Sequence, residues 1–158
     1  MNEQQIKLRH PNFSEGLPIF RLIRSCPPLD LNSAYYYYIL CRDFRDTCVV
    51  AEAEGRVVGF ISAYLKPRQP DCLFVWQVAV DPEFRGRQIA SGMLEWLVKQ
   101  VQIRIMETTV SPSNKPSQAL FRGFSQRHQA SLETSEFLRP DHFDDPSHEG
   151  EILFTITF

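Results

Sequence analysis

The chain reads as a mixed α/β sheet flanked by helices, and three observations predict it. Two helical segments come early, a meander of strands then ends in the nearly continuous apolar run Cys72–Val80, and the rest alternates strand, helix, strand, helix before two closing strands. At 158 residues this is the length of one domain, expected to span 1–158.

Each element has its own signal. Ile6–Pro11 predicts a short strand stopped by its proline. Ser14–Cys26 predicts a helix, with Ser14 as N-cap and Leu17, Phe20 and Ile23 on one stripe. The Pro27–Asn32 segment is a rigid turn, and Ser33–Phe44 is a second short helix. Thr47–Leu65 divides at Glu54-Gly55 into the two strands of a hairpin. Cys72–Val80 is apolar enough for a central strand covered on both faces. After Gly86, the rows Ile89, Met93, Leu97 and Ala90, Leu94, Val98 make one broad apolar helix face. Ile103–Val110 is a strand, and Ser111–Phe124 a loop and short helix. Ser131–Leu138 and Glu151–Phe158 are closing strands around the polar segment 139–150, which is expected to be mobile.

Composition narrows the partners. Hydrophobic residues at 43% and charged residues at 23% are ordinary for a soluble globular protein. A net charge of −2 offers no long-range attraction to nucleic acid or an anionic membrane. No window is apolar enough to span a bilayer, and Met1–Phe13 lacks a charged-then-apolar targeting pattern, so a cytoplasmic protein is expected. Cys26, Cys41, Cys48 and Cys72 form no C-x-x-C pair, and the four histidines are scattered; reduced, mostly buried thiols and no metal site are expected.

The chemistry concentrates at a basic turn. Arg85, Gly86 and Arg87 stand where a strand has ended and a helix begins, and a helix start leaves backbone N–H groups without internal partners. Such a place attracts anions. A Walker loop would need G-x-x-x-x-G-K-[ST] and a dinucleotide fingerprint G-x-G-x-x-G; both are absent. The remaining pattern, Arg85-Gly86-Arg87-Gln88-Ile89-Ala90, resembles the R/Q-x-x-G-x-G/A signature of the GNAT superfamily of N-acetyltransferases. The resemblance implies the GNAT fold, with a mixed, mostly antiparallel central sheet. It also implies that the amides of residues 85–90 cradle the diphosphate of acetyl-CoA, the cosubstrate. Gln88 departs from the pattern's inner glycine, although glutamine still supplies an amide.

Further positions carry over from the superfamily. Asn114 would open the later helix and line the pantetheine arm, while the amides of Val78 and Val80 would meet the pantetheine and the thioester carbonyl. Phe121 occupies the place where many members carry a tyrosine, so it would only pack against the cofactor.

Over nearly its whole length the chain is similar to the L-2,4-diaminobutyrate acetyltransferases of ectoine biosynthesis. The likeness rests on Cys26–Tyr35, Asp46–Glu52, Pro70–Val80, Met106–Asn114 and His142–Glu151. It implies acetyl transfer to the γ-amine of L-2,4-diaminobutyrate, a homodimer, and a diamine pocket from Asp30, Tyr35, Trp76, the Val78 backbone, His148 and Glu151. Each side chain also has a plainer reading: Asp30 as a helix cap, Tyr35 as core or dimer surface, Trp76 as core, His148 and Glu151 as solvated.

The substrate carries two amines and a carboxylate, so acidic groups should face the amines, with Asp30 and Glu151 available. Arg42, Arg45, Arg68 and backbone amides compete for the carboxylate. A primary ammonium has a pKa of about 10, leaving roughly a thousandth as free amine at neutral pH, so a proton acceptor helps. Glu151, assisted by His148 or water, would take that proton, and the Val78 amide would stabilise the oxyanion. Transfer would be direct, in a ternary complex, because no cysteine has a visible activating partner. One alternative is an acetyltransferase for another small amine or a protein N-terminus. A second is a non-catalytic acetyl-CoA-binding module, to which the departures at Gln88 and Phe121 point and against which Asp30, Trp76 and Glu151 argue.

Overall fold

A computed structural model describes residues 4–158. Met1–Glu3, the start of the stretch read as lacking a targeting pattern, lie outside the described residues. The elements run β1 (Lys7–Arg9), α1 (Gly16–Arg24), α2 (Ala34–Asp43), β2 (Val49–Ala53), β3 (Arg56–Lys66), β4 (Gln69–Val80), α3 (Ile89–Val98), β5 (Ile105–Val110), α4 (Lys115–Arg127), β6 (Ser131–Leu138) and β7 (Glu151–Thr157). The strands form a seven-stranded sheet in the order β1-β2-β3-β4-β5-β7-β6. β4 and β5 pair in parallel, whereas β1 with β2, β2 with β3, β5 with β7 and β6 with β7 are antiparallel. This is the mixed sheet that the sequence predicts, and it is mostly antiparallel, as the family resemblance implies. No helix among the described residues is long and apolar enough to cross a membrane.

The chain falls into two compact units, Met1–Tyr64 with Trp76–Gln102, and Leu65–Val75 with Ile103–Phe158. In the first unit, α1 and α2 bury Ile19, Ile23, Tyr37 and Leu40 against Val50 and Phe60 of the sheet. The buried stripe of α1 is Ile19, Leu22 and Ile23, with Leu17 and Phe20 only half-buried, so the helix is rotated from the expected face. Ser14 is not the cap. It lies inside a 3-10 turn, Phe13–Glu15, entered through Asn12, whose N–H donates to Glu15 Oε1 at 2.6 Å. At Gly16 a Cβ would sit 2.5 Å from the Tyr38 ring, so glycine lets α1 start against α2.

Arg9 of β1 ties the same corner together. Its guanidinium reaches Glu15 at 2.7 and 2.9 Å and Glu52 of β2 at 2.7 and 2.9 Å. The β2–β3 hairpin turns at Glu54 (φ 51°) and Gly55 (φ 75°), two left-handed residues in succession, as tight hairpins favour.

The second unit is built on β5, β7 and β6, with α4 contributing the buried Phe121 and Phe124. The parallel register runs from Cys72↔Ile105 to Val75↔Thr108, where Thr108 Oγ1 donates to the Val75 carbonyl at 2.9 Å. α4 continues beyond the expected end at Phe124 to Arg127.

Candidate functional site

β4 is not covered on both faces throughout. From Val75 onward it alternates, with Val75, Gln77 and Ala79 buried while Trp76, Val78 and Val80 share the other, more open face. Trp76 is 50% exposed, which removes it from the core. Its indole meets Tyr36 of α2 edge to face at 5.4 Å and Tyr64 of β3 at 6.3 Å, so three aromatic rings surround this part of the strand. The Tyr36 hydroxyl is buried and has no hydrogen-bond partner among the described residues, and burial pushes its ionisation far above the ordinary range.

Asp30 is exposed and sits in the turn that follows the cis Pro27–Pro28 bond. It does not cap α2, since Ser33 does so by accepting from the Tyr36 N–H. What anchors Asp30 is Gln77, a residue not singled out from the sequence. Gln77 is 4% exposed; its Nε2 donates to the Asp30 carbonyl at 2.7 Å, its Oε1 accepts from the Tyr37 hydroxyl at 3.1 Å, and its N–H donates to Ser62 Oγ at 3.1 Å. The signal was present: one amide side chain in the middle of an apolar strand must be satisfied by polar partners. Tyr35 is 75% exposed and so is not a core tyrosine. Of the arginines considered for a carboxylate, Arg42 pairs with Asp43 at 2.8 Å, and Arg45 binds the Pro11 carbonyl and Asp46.

The basic turn follows β4 directly. Asp81 caps a 3-10 turn, Pro82–Phe84, by accepting from the Glu83 N–H at 2.9 Å. Phe84 is buried, and the guanidinium groups of Arg56 and Arg87 lie over its ring at 5.4 and 4.8 Å, which spends the Arg87 side chain on bracing the turn. Arg85 Nε donates to the Val80 carbonyl at 3.3 Å. Gly86 (φ 77°) and Gln88 (φ 58°, ψ 23°) are both left-handed, and Gln88 is the N-cap residue of α3 without a side-chain capping bond. Residues 85–88 are exposed, and such turns present backbone N–H groups at a helix start, where the macrodipole favours an anion. Ile89 is buried and anchors α3; Ala90 is half-buried.

The second unit holds the remaining predicted residues. Asn114 caps α4, its Oδ1 accepting from the Ser117 N–H at 3.2 Å. Phe121 is 2% exposed and belongs to the core, so its side chain does not offer the cofactor wall expected of it. His148 and Glu151 are half-buried, Glu151 as the first residue of β7 and paired with Leu138. The segment expected to be mobile carries its own scaffold: Asp145 accepts from the Ser147 N–H and hydroxyl at 2.9 and 2.7 Å, and the His148 N–H donates to the Asp145 carbonyl at 3.0 Å. The Ser147 hydrogen bonds hold the Asp145 carboxyl below its ordinary value. All four cysteines are free and buried, and no group of three metal-ligating side chains occurs among the described residues.

Comparison with known proteins places the chain in a family. Residues 17–124 fit the model of the acetyltransferase (GNAT) family. The chain is 41% identical over 156 residues to the L-2,4-diaminobutyric acid acetyltransferase of Streptomyces avermitilis, a match covering 96% of this chain and 87% of that one. The enzyme of the same name from Bordetella parapertussis is 42% identical over 153 residues, covering 94% and 82%. Among solved structures, the diaminobutyrate acetyltransferase of Paenibacillus lautus, in complex with its substrate L-2,4-diaminobutyric acid and coenzyme A, superposes with a TM-score of 0.94. It is 42% identical, with 98% of this chain and 95% of that one covered.

Proposed function

The chain belongs to the acetyltransferase (GNAT) family and, within it, to the L-2,4-diaminobutyric acid acetyltransferases, and we infer that it is an acetyl-CoA-dependent enzyme that acetylates L-2,4-diaminobutyrate in ectoine synthesis. The observation that carries this reading is the near end-to-end likeness to a solved enzyme in complex with that substrate and coenzyme A. The γ-amine is the proposed acceptor and N4-acetyl-L-2,4-diaminobutyrate the product. We propose that the enzyme is one acetyltransferase domain, a cytoplasmic homodimer, and used under osmotic stress. Exposed apolar side chains at Leu31 and Phe44 offer a surface for self-association.

Coenzyme A supplies an activated acetyl thioester, and the residues present suit it. The turn has exposed residues at Arg85–Gln88 and a helix start for the diphosphate, the amides of Val78 and Val80 are assigned to the pantetheine and the thioester carbonyl, and Asn114 opens α4. Asp30 and Glu151 are assigned to the substrate amines, with Tyr35 and Trp76 as walls that exclude water. Glu151, assisted by His148, accepts the proton that the ammonium must lose, and the Val78 N–H faces the developing oxyanion.

Transfer is direct. Burial pushes the thiols of Cys41 and Cys48 up to about 12 and that of Cys72 up to about 11, so none of these three is poised as a nucleophile. The coenzyme leaves as a thiolate, an adequate leaving group without a general acid, consistent with Phe121 lying in the core.

The test is incubation with acetyl-CoA and a panel of diamines, following products by mass spectrometry. Acetylation confined to the γ-nitrogen of diaminobutyrate is expected. Turnover of a peptide N-terminus, or coenzyme binding without any product, would overturn the assignment.

A further inference from the structure

The imidazole of His148 is fixed by contacts within its own unit. Its Nδ1 lies 2.6 Å from the Glu149 carbonyl oxygen. A carbonyl can only accept, so Nδ1 carries a hydrogen and the neutral ring keeps its basic lone pair on Nε2. One ring face is stacked on Phe143, with centroids 3.7 Å apart and planes 14° from parallel. Glu149 is tied down in turn, because its carboxylate accepts from the Ser113 N–H at 3.1 Å and from the Ser113 hydroxyl. Ser113 immediately precedes Asn114, the cap of α4, so the ring hangs from a helix start through one clamped residue.

We propose that Phe143 and Glu149 are positioning residues that set the tautomer and plane of His148 and so present Nε2 as its proton-accepting atom in acetyl transfer. This rests on the reading of His148 as part of the proton path. In the step it serves, an ammonium proton leaves the substrate for the relay of Glu151 and His148 and comes to rest on Nε2. The freed nitrogen pair attacks the thioester carbon and the C–N bond forms; the attacking nitrogen, now cationic, gives a second proton to the departing thiolate as the C–S bond breaks, and the first proton passes from Nε2 to solvent.

The arrangement suits this task. Stacking opposes rotation about the outer torsion of the ring, and fixing such a torsion removes orientational freedom that would otherwise add to the barrier. Glu149 takes part through its backbone carbonyl, while its charge is engaged by Ser113.

The test pairs ring spectroscopy with kinetics on the full-length enzyme. With the His148 resonances assigned through His148→Gln, nitrogen NMR should show a protonated Nδ1 and an unprotonated Nε2 in the neutral ring, and its ring protons should be shifted upfield by Phe143. Phe143→Leu should abolish that upfield shift and lower kcat about tenfold with KM for acetyl-CoA unchanged, and Phe143→Tyr should restore both. Ser113→Ala, which keeps the stack but loosens Glu149, should shift the tautomer balance and lower kcat to a smaller degree. An Nε2-protonated ring, or an unchanged kcat in Phe143→Leu when His148→Gln is impaired, would overturn the positioning role. Full activity in His148→Gln, with the wild-type ring showing the expected tautomer and stack, would instead remove the proton-path reading beneath it.

Discussion

Gln77 Nε2 donates to the backbone carbonyl of Asp30 at 2.7 Å, joining residues 47 apart in the sequence. The same amide accepts from the Tyr37 hydroxyl, so a strand, a turn and a helix in the first unit share one buried group. Replacement by leucine would remove both hydrogen bonds, each contributing about 1 kcal/mol net, while the Tyr37 hydroxyl keeps its contact with Asn32. Gln77→Leu is expected to lower the melting temperature and to raise KM for diaminobutyrate at least tenfold, with KM for acetyl-CoA little changed. Calorimetry and initial rates would check both.

The left-handed backbone at Gln88 makes a second prediction. A non-glycine residue in this region costs about 1 kcal/mol relative to glycine. Gln88→Gly should therefore raise stability by roughly that amount in urea unfolding, while Gln88→Val should lower it, branched residues fitting this region poorly. Gly86→Ala meets no steric obstacle, since nothing lies within 4 Å of the added Cβ, and its cost of about 1 kcal/mol would be purely conformational.

Acid should loosen the corner held by Arg9. Burial alone pushes the Glu15 carboxyl upward, but the Arg9 hydrogen bonds, the Asn12 N–H and the Arg9 charge together outweigh it and leave the group below its ordinary 4.5. A depressed carboxyl contributes stability that is complete above the unfolded value and disappears as pH falls through the folded one. Melting temperature measured from pH 6 down to 3 should therefore decline below about 4.5. Glu15→Gln should flatten part of that decline and cost about 1–2 kcal/mol at neutral pH.

Removing the Tyr36 hydroxyl should have the opposite sign. It is buried without a hydrogen-bond partner among the described residues, so Tyr36→Phe deletes a desolvated polar atom and keeps the ring against Trp76. Stability in urea should hold or rise by up to about 1 kcal/mol. A loss larger than that would mean that the hydroxyl is bonded in solution.

Much of the fold was legible in the chain because its strands and helices carry strong periodicity. The hairpin at Glu54-Gly55, the amphipathic α3 and the closing strands all follow from local pattern. Local cues failed where a neighbour decided the matter. Ser14 has the chemistry of a cap, but Glu15 is held by Arg9 and Asn12, which starts the turn one step earlier. Trp76 was ambiguous because an apolar strand does not reveal which of its faces is covered. Gln77 was visible as an isolated polar residue, although its partners, Asp30 and Tyr37, are distant in the sequence. In 139–150 the polar composition concealed Asp and Ser side chains that bond to nearby backbone and so order the segment locally.

The alternation along β4 has a consequence for how such an enzyme could be altered. With Gln77 and Ala79 facing inward and Trp76, Val78 and Val80 outward, deleting or inserting one residue would exchange the two sets. An aromatic ring would be forced into the interior and the bridging amide thrown out into water. New amine preferences must therefore be sought by exchanging side chains in place, since this strand has no tolerance for a change of length.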